Sequence, residues 1–142
     1  EAELAKRRPF TEPLDDDRSP EDIDPSDLAT IERLSGAFVV TLTTRELRGL
    51  DARVLFAELT KQAEEQPAPR FVFDLQIVDV MDSACIGAMV EMQAQLQGRG
   101  GRIALVNPSE HIAYLLRLTR LDRLFPISRD VMAAITQLEQ AA

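Results

Sequence analysis

Residues 79–87 hold the side chains whose types and spacing could do chemistry, namely the carboxylate of Asp82, the hydroxyl of Ser83 and the thiol of Cys85. They lie between a predicted strand and a predicted helix, at the sheet edge where α/β proteins commonly place function. Either Asp82 or Ser83 suits the helix N-cap. The free N–H groups of the first turn favour an anion. A phosphate on Ser83 would therefore be tolerated, and would add about −1.5 to −2 charge beside Asp82.

The same residues also allow a purely structural interpretation. A Ser or Asp at a strand-to-helix junction is most often a plain helix cap. Cys85 is more often a small buried filler than a thiol activated by the helix dipole. Both interpretations of Ser83 and Cys85 remain open on the pattern alone.

Enzymatic and metal chemistry find little support in the chain. His111 follows Glu110 on a predicted helix and is expected to be exposed or to cap it. A triad of Ser83, His111 and an Asp would need the G-x-S-x-G flanks, which are absent. One His and one Cys cannot form the usual His/Cys metal site. We therefore predict that the chain is not an enzyme and has no catalytic residue, metal site or cofactor.

Composition narrows the class of partner. The 142 residues are 45% hydrophobic, which suits one domain with a real core, and no apolar run approaches the length of a membrane helix. The net charge is −8 without a basic stripe, which argues against nucleic acid, anionic membrane surfaces and membrane insertion. A single cysteine excludes an internal disulfide and favours a cytoplasmic location.

The first 27 residues differ from the rest of the chain. They carry ten acidic and four basic side chains, a net −6, which leaves −2 for residues 28–142. Half of the eight prolines also lie there. We predict an irregular acidic tail at 1–27, either a solvated linker or a partner-binding segment, and one domain at 28–142. The chain begins with Glu1 rather than Met, so we expect a processed, trimmed or partial product.

Strands and helices alternate through the domain. Apolar β-branched runs predict strands at 29–34, 38–42, 71–75, 103–106 and 124–127, the first two forming a hairpin. Helical stripes predict helices at 51–65 and 83–97, one capped by Asn107, and a last one capped by Ser128. Such alternation implies right-handed parallel crossovers. The sequence therefore predicts an α/β fold, a mixed sheet of four to five strands with about four helices packed on it.

One segment carries a family resemblance. Residues 81–87 read Met-Asp-Ser-Ala-Cys-Ile-Gly and resemble the signature M-D-S-S-G-hydrophobic-G of STAS domains in bacterial anti-sigma factor antagonists. The flanks are similar as well: the strand and link at 73–78, the glycine turn and strand at 98–106, and the helix end at 116–121. Arg45, Glu46 and Leu47 stand where the family has a G-E-L-D turn. The resemblance covers roughly residues 29–138.

The resemblance implies a regulatory protein. In the family, the first Ser of the signature accepts phosphate from a serine kinase that is also the anti-sigma factor, so the implied phosphorylation site is Ser83. The implied partner-binding residues are Asp82, Ser83, Ala84, Cys85 and Ile86 of the signature, and Arg45, Glu46 and Arg48 of the turn. Ala84 and Cys85 depart from the signature, and Arg45 and Arg48 replace the Gly and Asp of the turn. These departures point to a different partner or to a domain that is no longer phosphorylated.

Two functions therefore remain open. The first is an anti-sigma factor antagonist, switched by phosphate on Ser83. The second is a STAS accessory domain of an anion transporter, lipid-transport complex or sensor assembly, in which Ser83 only begins a helix.

Overall fold

The protein alternates strands and helices along the chain. The computed structural model describes residues 16–140, so the predicted tail at 1–27 lies partly outside the described residues. The elements are β1 (Ala29–Leu34), β2 (Ala37–Leu42), β3 (Glu46–Leu47), α1 (Gly49–Gln62), β4 (Arg70–Asp74), β5 (Val80–Met81), α2 (Ser83–Gln97), β6 (Arg102–Val106), α3 (Glu110–Leu118), β7 (Ile127–Ser128) and α4 (Val131–Gln140).

Five of the strands form one mixed sheet in the order β1-β2-β4-β6-β7. β1 and β2 form an antiparallel hairpin, and the other neighbours are parallel. Ser35 and Gly36 make the hairpin turn with φ of 51° and 80°, a conformation that two-residue hairpins favour. The predicted α/β class, with its mixed sheet and four helices, is confirmed.

Alternate residues of the central strands face two separate cores. Phe71 and Phe73 of β4 pack with α1, α2 and α3 on one face of the sheet. Val72, between them, packs with Ala134, Ile135 and Leu138 of α4 on the other face. Because successive side chains of a strand point to opposite faces, the interior positions of β4 and β6 are apolar on both faces.

Several predicted element boundaries are wrong. Asn107 has a left-handed φ of 55°, and Ser109 instead caps α3 by accepting the N–H of Ile112 at 3.2 Å. The last strand begins only at Ile127, since Pro126 has no N–H and contributes only its carbonyl to Leu105.

The start of the last helix also differs from the prediction. Ser128 belongs to β7, and its hydroxyl donates to the side chain of Gln137 at 2.9 Å. Asp130 provides the cap, accepting the N–H of Ala133 at 2.8 Å. Similarly, α1 begins at Gly49, two residues before the predicted start at Asp51.

The segment 16–27 forms two short 3-10 turns, Pro20–Asp22 and Pro25–Asp27. Both turns contact α1, and the side chain of Ile23 packs against the larger core. The segment then joins β1, where the carbonyl of Leu28 accepts the N–H of Thr43 at 2.8 Å. This part of the predicted tail therefore lies along the domain.

Candidate functional site

The first turn of α2 presents Ser83 to solvent. Asp82 is the N-cap, with extended backbone (φ −86°, ψ 173°), and its Oδ1 accepts the N–H of Cys85 at 2.8 Å. Ser83 is therefore the first residue inside the helix, and it is exposed. Because Asp82 fulfils the capping role, the Ser83 hydroxyl is not needed for it.

A small second sheet brings the turn before α1 to the same site. β3 and β5 pair in parallel, Glu46 beside Val80 and Leu47 beside Met81. The carbonyl of Arg45 accepts the N–H of Asp79 at 2.8 Å. The predicted partner-binding residues of the turn thus lie beside the strand that leads to Ser83. The sequence did not indicate β3 or β5, because strands of two residues carry no periodic pattern.

Charged side chains cross this small sheet on its exposed surface. The guanidinium of Arg45 lies 2.8 Å from the carboxylate of Asp79, with 76% and 54% of the two side chains exposed. Arg48 reaches the carboxylate of Glu46 at 3.4 Å. Ion pairs this exposed contribute little stability, about 0–1 kcal/mol. Their charges are accessible to a partner because the side chains face solvent.

Two apolar side chains next to these charges were missed at the sequence level. Ile77 is 43% exposed and Val80 38% exposed, although both follow a buried strand. A solvent-facing apolar residue cannot be separated from a core residue by its type alone. Together with the ion pairs, they give the site a mixed surface of the kind found at protein–protein contacts.

The first turns of α1 and α2 touch through their smallest residues. A Cβ placed on Gly49 would lie 2.3 Å from the Cβ of Ala84, so only glycine fits there. Ala84 is half-buried by this contact. The Ala in place of the family's second Ser therefore lies between the helices, and offers a partner only a fraction of its surface.

Cys85 faces the larger core. Its side chain is fully buried, and burial, followed by the charges of Asp82 and Asp51, raises the pKa of the thiol well above its ordinary value. The burial of Cys85 agrees with the interpretation of this residue as a small buried filler, and the raised pKa disfavours a reactive thiolate. A partner contact of Cys85 stays a prediction. Ile86 is half-buried and packs against the larger core.

The start of α1 holds a buried carboxylate that the sequence did not single out. Asp51 is only 3% exposed, and its Oδ2 accepts the N–H of Arg48 at 3.0 Å. Its Oδ1 accepts from the guanidinium of Arg18 at 2.8 Å. Arg18 in turn binds Asp16, which raises the pKa of the guanidinium and lowers the pKa of Asp16 to about 2. Because Arg18 and Asp51 are 33 positions apart, no local pattern could have shown the pair.

Residues 16–140 contain no cluster of three or more His, Cys, Asp and Glu that could hold a metal ion. His111 is exposed on α3. Over the same residues, no helix has both the length and the apolar character needed to cross a membrane.

Comparison with known families decides the classification. The profile of the STAS domain matches residues 29–134, which include the sheet, both helix starts and Ser83. The chain belongs to the STAS domain family. The predicted resemblance is thereby confirmed.

One curated relative is a proposed anti-sigma factor antagonist from Thermotoga maritima, 32% identical over 66 residues. The match covers 46% of this chain and 58% of the relative, so the chain spans little more than half the length of that protein.

Solved STAS structures share the fold. The anti-sigma factor antagonist SpoIIAA in its unphosphorylated form aligns with a TM-score of 0.66 and 18% identity, covering 79% of this chain and 96% of that one. Its phosphorylated Bacillus form aligns at 0.59 and 20%, covering 78% and 98%. The murine solute carrier 26 family member A9 anion transporter aligns at 0.63 and 14%, covering 78% of this chain and 19% of the transporter. At these identities the likeness is one of fold alone.

Proposed function

We propose that this STAS domain is a cytoplasmic anti-sigma factor antagonist, which binds an anti-sigma factor with serine kinase activity and is released when Ser83 is phosphorylated. The observation that carries the proposal is the placement of Ser83: exposed, first in α2, and spared from capping because Asp82 takes that role. Membership of the STAS family and the name of the Thermotoga maritima relative support the partner class.

The physical basis of the switch is a change of charge at a fixed position. The N–H groups at the start of α2 and the helix dipole stabilise an added anion, so the fold accepts the phosphate without rearrangement. The phosphate adds about −1.5 to −2 charge beside the carboxylate of Asp82. A partner that tolerates this carboxylate then meets a bulkier and more negative surface.

Two segments of the chain form the proposed docking surface. The start of α2 contributes Asp82, Ser83, the exposed part of Ala84, and Ile86. The turn before α1 contributes Arg45, Glu46 and Arg48, held beside it by the pairing of β3 and β5. The exposed apolar side chains of Ile77 and Val80 extend this surface. Its partner is a protein, with no nucleic acid and no insertion into a membrane.

Binding of the cognate anti-sigma kinase to matched variants tests the proposal. Ser83→Asp adds one charge at the site. Ser35→Asp adds the same charge at the exposed turn that precedes β2, at the end of the sheet where the parallel strands begin. We expect Ser83→Asp to weaken the affinity about tenfold or more, as like charges across a contact cost upwards of about 1.4 kcal/mol. Ser35→Asp is expected to bind like the unmodified protein.

Equal affinity of the two variants would reject the switch. The accessory-domain alternative makes that prediction, because Ser83 is then only the first residue of a helix. Ser83→Ala separates modification from binding: it is expected to bind the kinase and to accept no phosphate at this position.

A further inference from the structure

The segment 16–27, named here the strap, contacts α1 and the core through Ile23, and forms one ion pair with the buried start of α1. Arg18 lies 2.8 Å from Asp51, whose side chain is 5% exposed, against 39% for Arg18. Asp51 is the only buried charged side chain among residues 16–140. Taking a carboxylate out of water is costly unless it is paired, so the burial of Asp51 depends on Arg18.

Asp51 also determines the geometry of the first turn of α1. Its other oxygen accepts the N–H of Arg48, the N-cap residue. One carboxylate thus joins the strap to the end of the turn that contains Glu46 and Arg48. Without Arg18, Asp51 keeps only the hydrogen bond from the Arg48 N–H. Water that replaces the guanidinium then competes with this N–H for the carboxylate.

A second contact carries the effect from α1 to α2. Gly49, one residue after Arg48, packs against Ala84 so closely that even a methyl group would not fit. Ala84 is the neighbour of Ser83 and lies within the turn closed by the bond from the Cys85 N–H to Asp82. Tight packing transmits a displacement because it leaves no free volume to absorb it.

We propose that the strap is a regulatory element: the Arg18–Asp51 pair holds the first turns of α1 and α2 together, and its release loosens the turn that presents Ser83. This inference rests on the proposed function, because loosening the first turn of α2 has a regulatory effect only if Ser83 in that turn is the phosphorylation site. Any factor that displaces the strap, such as a partner that takes Arg18 with its own carboxylate, then changes the presentation of Ser83.

Hydrogen exchange in the full chain, without any partner, tests this inference. Three amides are compared: Arg48, which donates to Asp51; Cys85, which donates to Asp82; and Leu105 of β6, which donates to Pro126 and reports global stability. In Arg18→Gln, we expect exchange at Arg48 and Cys85 to accelerate about tenfold beyond any change at Leu105. Arg123→Gln, which removes an exposed charge from the segment before the edge strand β7, serves as the control and is expected to change none of the three.

A graded variant keeps the test valid where Arg18→Gln lowers the overall stability. Arg18→Lys retains one charge for Asp51 but cannot also bind Asp16 through a planar fork, so it is expected to give an intermediate rate at Cys85. Acceleration at Arg48 alone, or equal acceleration at all three amides, would contradict the coupling. No kinase is present, so this outcome is independent of whether Ser83 accepts phosphate.

Discussion

Gly49 and Ala84 are in contact where the first turns of α1 and α2 meet, leaving no room for a Cβ on Gly49. This contact fixes how the turn before α1 lies relative to Ser83. The proposed docking surface therefore depends on a contact between two helices that leaves room only for glycine at position 49.

Gly49→Ala is expected to destabilise the protein by about 1–3 kcal/mol, the usual cost of overpacking. Gly87→Ala is the matched control, because a Cβ at Gly87 of α2 has no neighbour within 4 Å. That change is expected to stabilise the helix by about 0.5–1 kcal/mol. Urea unfolding measures both. If the close contact is the cause, adding Ala84→Gly to Gly49→Ala restores part of the loss, whereas purely additive effects would show that it is not.

The thiol of Cys85 is expected to be inert in the folded protein. It is fully buried, and burial raises its pKa, so the reactive thiolate is scarce at neutral pH. An aromatic disulfide reagent should label one thiol promptly in concentrated guanidinium chloride and only slowly in buffer. Labelling in buffer as fast as in denaturant would mean that the first turn of α2 is open.

Asp16 is expected to titrate with a pKa of about 2, because Arg18 hydrogen-bonds its carboxylate and holds the pKa below the ordinary 3.8. A lowered folded-state pKa means that the contribution to stability is present above 3.8 and is lost as the pH falls from 3.8 towards 2. An NMR titration of the side-chain carboxyl measures this directly. In Arg18→Gln the pKa should rise towards 3.8, and an unchanged value would show that another cation holds Asp16.

The longer strands and helices could be predicted from the sequence, because the spacing of apolar residues along each element shows which of its faces is buried. The ends were less predictable. Asn107 and Ser109 are both good N-caps, and only the left-handed backbone of Asn107 assigns the role to Ser109. Likewise, either Asp82 or Ser83 could have capped α2, and the choice of Asp82 is what leaves Ser83 available.

The part of the site that lies within one short segment could be predicted from the sequence. The contacts between segments that are distant in sequence could not. The exposed Ser83 lies in the short motif that the sequence singled out. The Arg45–Asp79 pair, the Gly49–Ala84 contact and the Arg18–Asp51 pair join residues about 30 positions apart or more, so they depend on the tertiary fold. The burial of Cys85 was expected from its residue type, since a small apolar side chain in the first turn of a helix commonly fills the core.

The central claim is that Ser83 accepts phosphate, and site mapping after incubation with the cognate anti-sigma kinase and ATP tests it most directly. The proposal predicts one phosphate, located by mass spectrometry on the peptide that contains Ser83 and missing in Ser83→Ala. Phosphate at another residue, or equal phosphate on the protein and on Ser83→Ala, would contradict it.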